Sequence, residues 1–371
     1  MSRHARATIH LDALRHNLAV ARGCAPQSNL MAVLKANAYG HGLLPVAHTL
    51  AGDVEAFAVS CLEEALPLRE AGLNHRVVLL EGFFEADEIP VFAARRLDAV
   101  IHQPWQIQAL AEADIKDPID CWLKVDTGMG RLGFLPDEAS AAAEQLAALK
   151  CVGQIRWMTH LAEADEPESP STAQQMAKFG ELIADTASGT ATPAQSTAAN
   201  SAGTLHWRET HADWVRPGIM LFGASPFAVP EPHAPLQPVM RLEARLISVK
   251  QLPKGHGVGY GGRFVCPEEM PVGIVSIGYG DGYPRHAPDG TPVQIKGRNA
   301  SLIGKVSMDM IAIDLRGIPQ PAVGDLVILW GDQPSANVIA DHCGTISYEL
   351  FCRLTPRVQR VYRNGAMHGQ S

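Results

Sequence analysis

The chain has 371 residues, of which 46% are hydrophobic and 19% charged, and its formal net charge is −8 at pH 7. Such a chain can bury a large core, and a negative charge without a block rich in Lys and Arg argues against binding to nucleic acid or an anionic membrane. The N-terminus lacks an apolar signal segment and no run of about 18 apolar residues follows, so we expect a cytoplasmic protein with a small-molecule substrate.

Short apolar or β-branched runs alternate with alanine-rich helical stretches over the first part of the chain. Eight such runs separated by helices predict a (β/α)8 TIM-like barrel. The predicted strands are 30–34, 56–59, 77–80, 97–101, 119–125, 154–159, 194–199 and 213–216. Helices rich in Ala, Leu and Glu are predicted at 43–52, 62–71, 104–113, 137–149 and 173–187.

A polar residue follows each predicted strand. In a barrel these positions surround the C-terminal face, where the active sites of this fold lie. Polar strand ends are also common for solubility alone, but a lysine, a histidine, an asparagine and an arginine together favour a site. The residues are Lys35, Ser60, Glu81, His102, Asp126, His160, Asn200 and Arg216.

A proline-rich stretch ends the alternating pattern. Proline sustains neither a helix interior nor a central strand. We therefore predict a barrel domain over residues 1–232 and a mostly β domain over residues 233–371. The prolines are Pro226, Pro230, Pro232, Pro235 and Pro238.

The predicted second domain alternates apolar and polar residues and contains many glycines. Residues 241–249 show the alternation most clearly. Further β-like runs occur near 272–277, 292–296, 310–314 and 325–330.

Seven cysteines are scattered along the chain. Their number is odd and none has the Cys-x-x-Cys spacing, which is typical of reduced thiols. We expect neither a disulfide framework nor a metal site.

One lysine, Lys35, stands where an apolar stretch gives way to a glycine-containing loop. Residues 32–42 read Ala-Val-Leu-Lys-Ala-Asn-Ala-Tyr-Gly-His-Gly. A lysine removed from water has a lowered pKa and can act as a base or form a Schiff base. For this run alone, a lysine that simply reaches solvent is the more common alternative.

Two loops late in the predicted barrel suggest a phosphate site. Residues 196–203 place small hydroxyl and amide side chains at a strand-to-helix junction, where free backbone N–H groups favour an anion. An ordinary helix cap is an equally good explanation of these residues. Gly218, which follows Arg216 and Pro217, allows close backbone approach to a ligand, and barrel phosphate sites recur at the last two loops.

Two glycine-rich segments match the Gly-x-Gly-x-x-Gly pattern, within residues 124–133 and 257–262. Neither has the strand, helix and acidic residue of a dinucleotide site, so a nicotinamide oxidoreductase is a weak alternative. Three tyrosines, Tyr260, Tyr279 and Tyr348, stand in distinctive surroundings, although each alone is more often a packed aromatic than a catalyst.

Taken together, these motifs resemble the alanine racemase family of pyridoxal-phosphate enzymes over nearly the whole chain. The resemblance implies an N-terminal (β/α)8 barrel that holds pyridoxal 5'-phosphate, a C-terminal β domain, and a homodimer whose subunits complete each other's active sites. The matching segments are residues 35–42, residues 124–133, Asn200-Ser201, residues 216–219, Tyr260 and Ser307-Met308-Asp309.

The resemblance implies roles for four residues. Lys35 would hold the cofactor as a Schiff base and act as the base on one face of the substrate α-carbon, and Tyr260 of the other subunit would act on the opposite face. Racemisation requires such a pair, because a proton leaves one face and returns to the other. Arg216 would face the pyridine nitrogen, with His160 as its neighbour, and would leave that nitrogen unprotonated.

The remaining site residues follow from the same resemblance. Arg131 and the backbone of Met308 resemble substrate-carboxylate contacts, and Lys124 resembles a lysine that can be carboxylated. The cofactor contacts would be Tyr39, His160, Asn200, Ser201, Gly218, Ile219 and Tyr348. The substrate entrance would be lined by Asp165, Tyr279, Arg285, Lys305 and Ile346.

Two positions depart from the family pattern. Lys305 stands where arginine is usual in some members, and Ser307 where cysteine often precedes Met-Asp. Lysine lacks the bidentate fork of arginine, which leaves substrate breadth open. The alternatives to an alanine racemase, in either D-alanine supply for peptidoglycan or alanine catabolism, are a racemase of broader specificity and a pyridoxal-phosphate-binding barrel without racemase activity.

Overall fold

A closed ring of eight parallel strands forms the first part of the chain. The computed structural model describes residues 4–187, 195–228 and 233–364. Strand β1 (Arg6–His10) precedes the ring and lies outside it. The ring consists of β2 (Asn29–Val33), β3 (Ala56–Val59), β4 (Arg76–Leu79), β5 (Asp98–Ile101), β6 (Ile119–Lys124), β7 (Val152–Met158), β8 (Ser196–Thr197) and β9 (Trp214–Val215). Each predicted strand overlaps one of these, so the predicted barrel is confirmed; residue 194, in the seventh prediction, lies outside the described residues.

Helices alternate with the barrel strands. They are α1 (Leu11–Cys24), α2 (Lys35–Tyr39), α3 (Leu43–Leu50), α4 (Leu62–Glu70), α5 (Ile89–Arg95), α6 (Pro104–Glu112), α7 (Pro136–Ala147), α8 (Ser171–Ala187) and α9 (Ser201–His206). The five predicted helices overlap α3, α4, α6, α7 and α8, whereas α1, α2 and α5 were not predicted, and α9 begins at the predicted strand-to-helix junction of residues 196–203. Proline begins α6 and α7, where its missing N–H costs nothing. Among the described helices, none has the length and apolarity needed to cross a bilayer.

A partly buried cluster of ion pairs lies at the N-terminal end of the barrel. Arg76 and Asp98 are the first residues of β4 and β5 and pair with each other. Asp120 of β6 accepts from Arg76 at 2.9 Å and from Arg156 of β7 at 3.1 Å. The indole N–H of Trp122 donates to Asp98 at 2.9 Å. Because these groups occupy one end of the barrel, a ligand cavity is left to the opposite, C-terminal face.

The second part of the chain is mostly β, as predicted. Its strands are β10 (Met240–Leu252), β11 (Gly257–Val258), β12 (Phe264–Val265), β13 (Met270–Val275), β14 (Pro292–Ile295), β15 (Arg298–Ile303), β16 (Ile311–Asp314), β17 (Leu326–Trp330) and β18 (Gln359–Arg363). Two helices, α10 (Ala336–Cys343) and α11 (Ser347–Cys352), follow β17. The sheet order is β13-β16-β15-β14-β17-β10-β1-β18, and β13 also pairs with β10. The four predicted β-like runs overlap β13, β14, β16 and β17.

The N-terminal strand β1 belongs to this second sheet. It runs antiparallel to β10 and parallel to β18, and its Arg6 forms an ion pair with Glu243 of β10. The two parts of the chain are therefore joined by a strand as well as by the connecting segment. The predicted division at residues 232 and 233 stays a prediction, because residues 229–232, with Pro230 and Pro232, lie outside the described residues.

Candidate active site

A cavity of about 630 Å³ opens at the C-terminal face of the barrel. This volume is within the range of small-molecule sites. Eleven of the predicted site residues line it: Lys35, Tyr39, Lys124, Arg131, His160, Asn200, Ser201, Arg216, Gly218, Ile219 and Tyr348. They come from loops far apart in the sequence, which the barrel brings to one face.

Lys35 begins a turn with a left-handed backbone. The φ angles of Ala36, Asn37, Ala38 and Tyr39 are 52°, 56°, 52° and 51°. Left-handed geometry costs an L-residue about 1–2 kcal/mol, so a run of four is held by its surroundings. On the barrel side, Glu64 accepts from the Ala36 N–H at 2.6 Å, and the Asn37 side chain accepts from the Leu43 N–H at 2.8 Å.

The second sheet also holds this turn. Arg360 of β18 donates to the Gly40 carbonyl at 2.5 Å, and the Tyr362 hydroxyl donates to the His41 carbonyl at 3.1 Å. A side chain at Gly40 would collide with the Phe351 carbonyl. The glycine is therefore required both by its φ of 74° and by this close approach.

His41 is a buried, neutral histidine behind the cavity. Its ring stacks on Phe222 at 4.5 Å between centroids. Burial lowers the pKa of His41 to about 3. The ring therefore stays neutral, and Nδ1–H donates to the Tyr39 carbonyl at 2.8 Å. This contact fixes the end of the left-handed turn and so the position of the Tyr39 side chain.

A cradle for an anion lies opposite Lys35. The Ser201 hydroxyl oxygen accepts from the N–H groups of Gly218 at 2.9 Å and of Met220 at 3.3 Å. A Cβ atom at Gly218 would stand 2.5 Å from the Tyr39 hydroxyl, so only glycine leaves that hydroxyl beside the backbone. The Asn200 side chain caps α9 by accepting from the Gly203 N–H at 2.9 Å. Both the ligand role and the capping role considered for Asn200 are thus compatible with this geometry.

Arg216 is buried and its polar contacts are neutral. Its guanidinium donates to Thr197 Oγ1 at 2.6 Å, the Thr159 carbonyl at 2.7 Å and the Ala198 carbonyl at 3.0 Å. Burial lowers the pKa of Arg216 to about 10, so the side chain remains charged near pH 7. Burial and the charge of Arg216 together hold the pKa of His160 well below its usual value, and neutral Nδ1 of His160 lies 3.3 Å from the guanidinium.

Lys124 is also buried among cations. Burial first, then Arg216, Arg131 and Lys35, lower its pKa to about 7. Glu81, at the same cavity, acts in the opposite direction on this pKa. Near neutral pH a substantial fraction of Lys124 therefore carries a neutral, nucleophilic amine.

The cavity is suited to an anionic ligand. Lys35, Lys124, Arg131 and Arg216 line it against one acid, Glu81. A phosphate in the cradle and a carboxylate near Arg131 would balance these charges. Within residues 4–187, 195–228 and 233–364, no group of three His, Cys, Asp or Glu side chains is arranged to hold a metal ion.

Seven predicted site residues do not line this cavity in the single chain. Asp165, one of the seven, lies close enough to act on the cavity residue Tyr348. Burial first, and then the charge of Asp165, raise the pKa of Tyr348. Arg285 lies over the Tyr279 ring, 5.9 Å from its centroid. Tyr260 is 67% exposed in the turn between β11 and β12, which pair with each other outside the eight-stranded sheet. The seven are Asp165, Tyr260, Tyr279, Arg285, Lys305, Met308 and Ile346.

Several lining residues were not predicted. The sequence did indicate Glu81, because it is one of the polar residues that follow predicted strands, but no family motif includes it. No sequence pattern indicated Cys352, because it reaches the cavity from the end of α11 and only the tertiary fold places it there. The unpredicted residues are Val33, Ala36, Leu80, Glu81, Leu132, Met158 and Cys352.

Comparison with known proteins supports the resemblance across both parts of the chain. The family descriptions "Alanine racemase, N-terminal domain" and "Alanine racemase, C-terminal domain" match residues 9–226 and 239–362. An alanine racemase of Halorhodospira halophila is 52% identical over 362 residues, which are 97% of this chain and 98% of that protein. A catabolic alanine racemase of Pseudomonas putida is 47% identical over 361 residues, 97% of this chain and 99% of that protein.

Solved structures agree with these sequence matches. The biosynthetic alanine racemase of Pseudomonas aeruginosa superposes with a TM-score of 0.93 at 44% identity and covers 98% of this chain and 100% of its own. The alanine racemase of Acinetobacter baumannii gives a TM-score of 0.89 at 39% identity, covering 97% of this chain and 100% of its own. With both family descriptions matched and relatives this similar along almost the full length, the chain belongs to the alanine racemase family.

Proposed function

We propose that this chain catalyses the interconversion of L-alanine and D-alanine with pyridoxal 5'-phosphate, as a cytoplasmic homodimer. The relatives named above support the reaction and the substrate. The observation that most directly supports this proposal is that one cavity combines Lys35 at a strand end, an anion cradle and a buried arginine. The free cysteines, typical of a reducing compartment, support the location.

The residues fit the cofactor at three points. Lys35 Nζ would hold its aldehyde carbon, the cradle of Ser201, Gly218 and Tyr39 would hold its phosphate, and Arg216 would lie at its ring nitrogen. When bound, the cofactor supplies a conjugated ring that withdraws electrons from the substrate α-carbon. Arginine only donates hydrogen bonds and keeps its charge, so Arg216 cannot give the ring nitrogen a proton. This moderates the electron withdrawal and disfavours side reactions.

Two groups exchange the α-proton on opposite faces. Lys35 Nζ would remove or return the proton on one face. Tyr260 of the partner subunit would do so on the other face. In its own chain Tyr260 is exposed and outside the cavity, which suits a residue that serves a second copy.

Exposed apolar side chains support a homodimer. Phe84 and Leu135 are exposed on loops that follow barrel strands, and Trp105 is exposed in the first turn of α6. Tyr260 and Met308 are exposed on turns and loops of the second part of the chain. Docking of this part on a neighbouring barrel face would cover both groups and bring Tyr260 to the cavity.

Substrate binding involves the carboxylate. Arg131 is the cavity cation that can form a bidentate pair with it, and the backbone of Met308 of the partner subunit would contact the same group. The neutral amine of Lys124 can attack carbon dioxide to give a carbamate and a proton. The carbamate would then pair with Arg131 and hold it in place.

Chiral chromatography tests the function. The purified protein is incubated with L-alanine and pyridoxal phosphate, beside Lys35→Ala and the surface variant Lys150→Ala as a matched control. We expect D-alanine to reach an equal mixture with the parent protein and Lys150→Ala, and at least about 100-fold slower conversion with Lys35→Ala. Unchanged L-alanine with the cofactor-loaded parent protein would contradict the proposed activity.

A further inference from the structure

Tyr260 lies at the tip of a short hairpin whose backbone does little to fix it. Strands β11 and β12 pair through only two residues each, and a one-turn 3-10 segment joins them. Gly259, Gly261 and Gly262, around the tyrosine, have φ angles of 70°, 67° and 56°. Glycine gives a chain the greatest conformational freedom. The position of the phenol must therefore depend on contacts that the hairpin makes with neighbouring segments.

Arg263, directly after this turn, supplies such contacts. Its Nη2 donates to the Gly304 carbonyl at 2.6 Å, to the Ala287 carbonyl at 3.1 Å and to Asp289 Oδ1 at 3.1 Å. One guanidinium thus links the hairpin to two other segments, the loop of residues 287–289 and the turn at Gly304. All three acceptors lie within hydrogen-bond distance of the single atom Nη2, which carries two hydrogens, so at least one hydrogen is shared between two acceptors.

Asp289 completes the same connection. Its Oδ1 also accepts from the Gly304 N–H at 2.6 Å, so the turn at Gly304 is bonded through both its N–H and its carbonyl. That turn lies under the hairpin, since a Cβ atom at Gly304 would stand 2.8 Å from the Val258 carbonyl. Val258 itself packs in a small apolar cluster with Ile303. The cluster anchors the base of the hairpin, and Arg263 anchors its tip.

The Gly304 turn leads into other residues expected to face the substrate. Lys305 follows it directly, and its Nζ would be 3.7 Å from a Cβ atom at Gly261. Farther along, the Met308 carbonyl accepts from the Gly280 N–H at 2.9 Å. One arginine thus connects the Tyr260 hairpin to the segment of Lys305 and Met308.

We infer that Arg263, together with Asp289, is a positioning residue that places the Tyr260 phenol for proton transfer in the partner subunit's cavity. The inference rests on the proposed function. Arg263 itself does not line the cavity. Its effect on catalysis is exerted through the hairpin.

A positioning role of Arg263 predicts a measurable effect on proton exchange that a general structural role does not. Tyr260 serves one face of the α-carbon and Lys35 the other. If the phenol is displaced, Lys35 still takes the α-hydrogen as a proton from one enantiomer, leaving the electron pair on carbon, and returns a solvent proton to the same face. In D2O that enantiomer therefore gains α-deuterium without inversion, while racemisation slows.

The test compares Arg263→Gln with Tyr260→Phe as a positive control and Arg245→Gln as a matched control. Arg245 is an exposed arginine of β10, in the same second part of the chain, that donates to a different loop, at the Gly324 carbonyl. Each cofactor-loaded protein is given L-alanine or D-alanine in D2O. Proton NMR measures loss of the α-hydrogen, and chiral chromatography measures inversion. Cofactor affinity is measured separately by fluorescence titration.

For Arg263→Gln we expect racemisation to fall about 10- to 100-fold, as for other displaced catalytic groups. The ratio of exchange to inversion should rise at least about 10-fold for one enantiomer only, the same one as in Tyr260→Phe, with cofactor affinity unchanged within about twofold. Arg263→Lys and Asp289→Asn should show smaller changes of the same kind, and they provide the test if Arg263→Gln does not fold.

Equal loss of exchange and inversion for both enantiomers, or an unchanged ratio in every soluble variant, would overturn the inference. Failure of the inference can be told apart from failure of the proposed function, since the parent protein and Arg245→Gln show whether racemisation occurs at all. A parent protein that does not racemise alanine rejects the proposed function before Arg263 is considered.

Discussion

Lys124 lies in an environment that disfavours its positive charge. It is buried, and three cations share its cavity. In the unfolded chain a lysine has a pKa near its usual value of about 10.4, whereas in the folded protein burial and these cations lower it to about 7. Between these two pH values the unfolded chain binds more protons, so stability increases as the pH rises.

We therefore predict a pH-dependent effect of Lys124→Met. Below about pH 7 the folded parent protein must hold a buried ammonium group, and the variant is relieved of it. Urea unfolding at about pH 7 and about pH 9.5 should show the parent gaining more stability over this interval than the variant. Bicarbonate is left out of this comparison, because a carbamate at Lys124 would replace the amine whose titration the measurement follows. Equal gains in both proteins without bicarbonate would contradict the lowered pKa.

At the scale of single residues, the sequence predicts which residues form the site better than it predicts their protonation states. The eleven predicted residues in the cavity follow from polar strand ends and from the resemblance to the family. The neutrality of His160 and of a fraction of Lys124 does not, because it depends on burial and on cations from other strands. The presence of Cys352 in the cavity could not be predicted either, since no local pattern relates α11 to Lys35.

Among the helices and strands, α2 has the backbone geometry that its sequence predicts least. Ala-Asn-Ala-Tyr contains good right-handed helix formers and no glycine, yet these four residues are left-handed. Their geometry depends on Glu64 of α4 and on Arg360 and Tyr362 of β18, which are distant in sequence. The strand β18 was not predicted either, so neither the turn nor what holds it could be read locally. The regular barrel strands, in contrast, follow from their apolar runs.

This dependence predicts that Tyr362→Phe weakens cofactor binding. The change removes the hydrogen bond to the His41 carbonyl, worth about 0.5–1.5 kcal/mol, and loosens the turn that carries Lys35 and Tyr39. Fluorescence titration with pyridoxal phosphate should show about 3- to 10-fold lower affinity. Tyr283→Phe is the matched control, because the buried Tyr283 hydroxyl has no hydrogen-bond partner within the described residues. Equal affinity in the two variants would show that β18 does not control the turn.

For the whole molecule, the terminal strands join the two parts. β1 and β18 lie side by side in the second sheet, and β18 also holds the Lys35 turn of the barrel. The sequence predicts two domains but not this connection, because parallel pairing of the first and last strands has no local pattern. The hairpin of β11 and β12, outside this sheet, presents Tyr260 away from its own cavity. A complete site therefore requires a second copy, if Tyr260 is the opposing base.

Subunit complementation tests this arrangement. Lys35→Ala and Tyr260→Phe are each expected to be nearly inactive alone. In a mixed dimer with Tyr260 acting across the interface, one site carries both substitutions and the other carries neither. Random equal mixing should thus restore about one quarter of the parent activity, since about half the dimers are mixed and one of their two sites is intact.

The control is a protein carrying both substitutions in one chain, mixed with itself. It should stay inactive, because no arrangement of its subunits gives an intact site. Differently tagged variants, co-expressed and purified through both tags, isolate the mixed dimer, whose activity should be about half that of the parent. If Tyr260 served its own chain instead, every site in the mixed dimer would lack one of the two bases. No activity above that of the single variants would then appear, which makes this measurement decisive for the shared site.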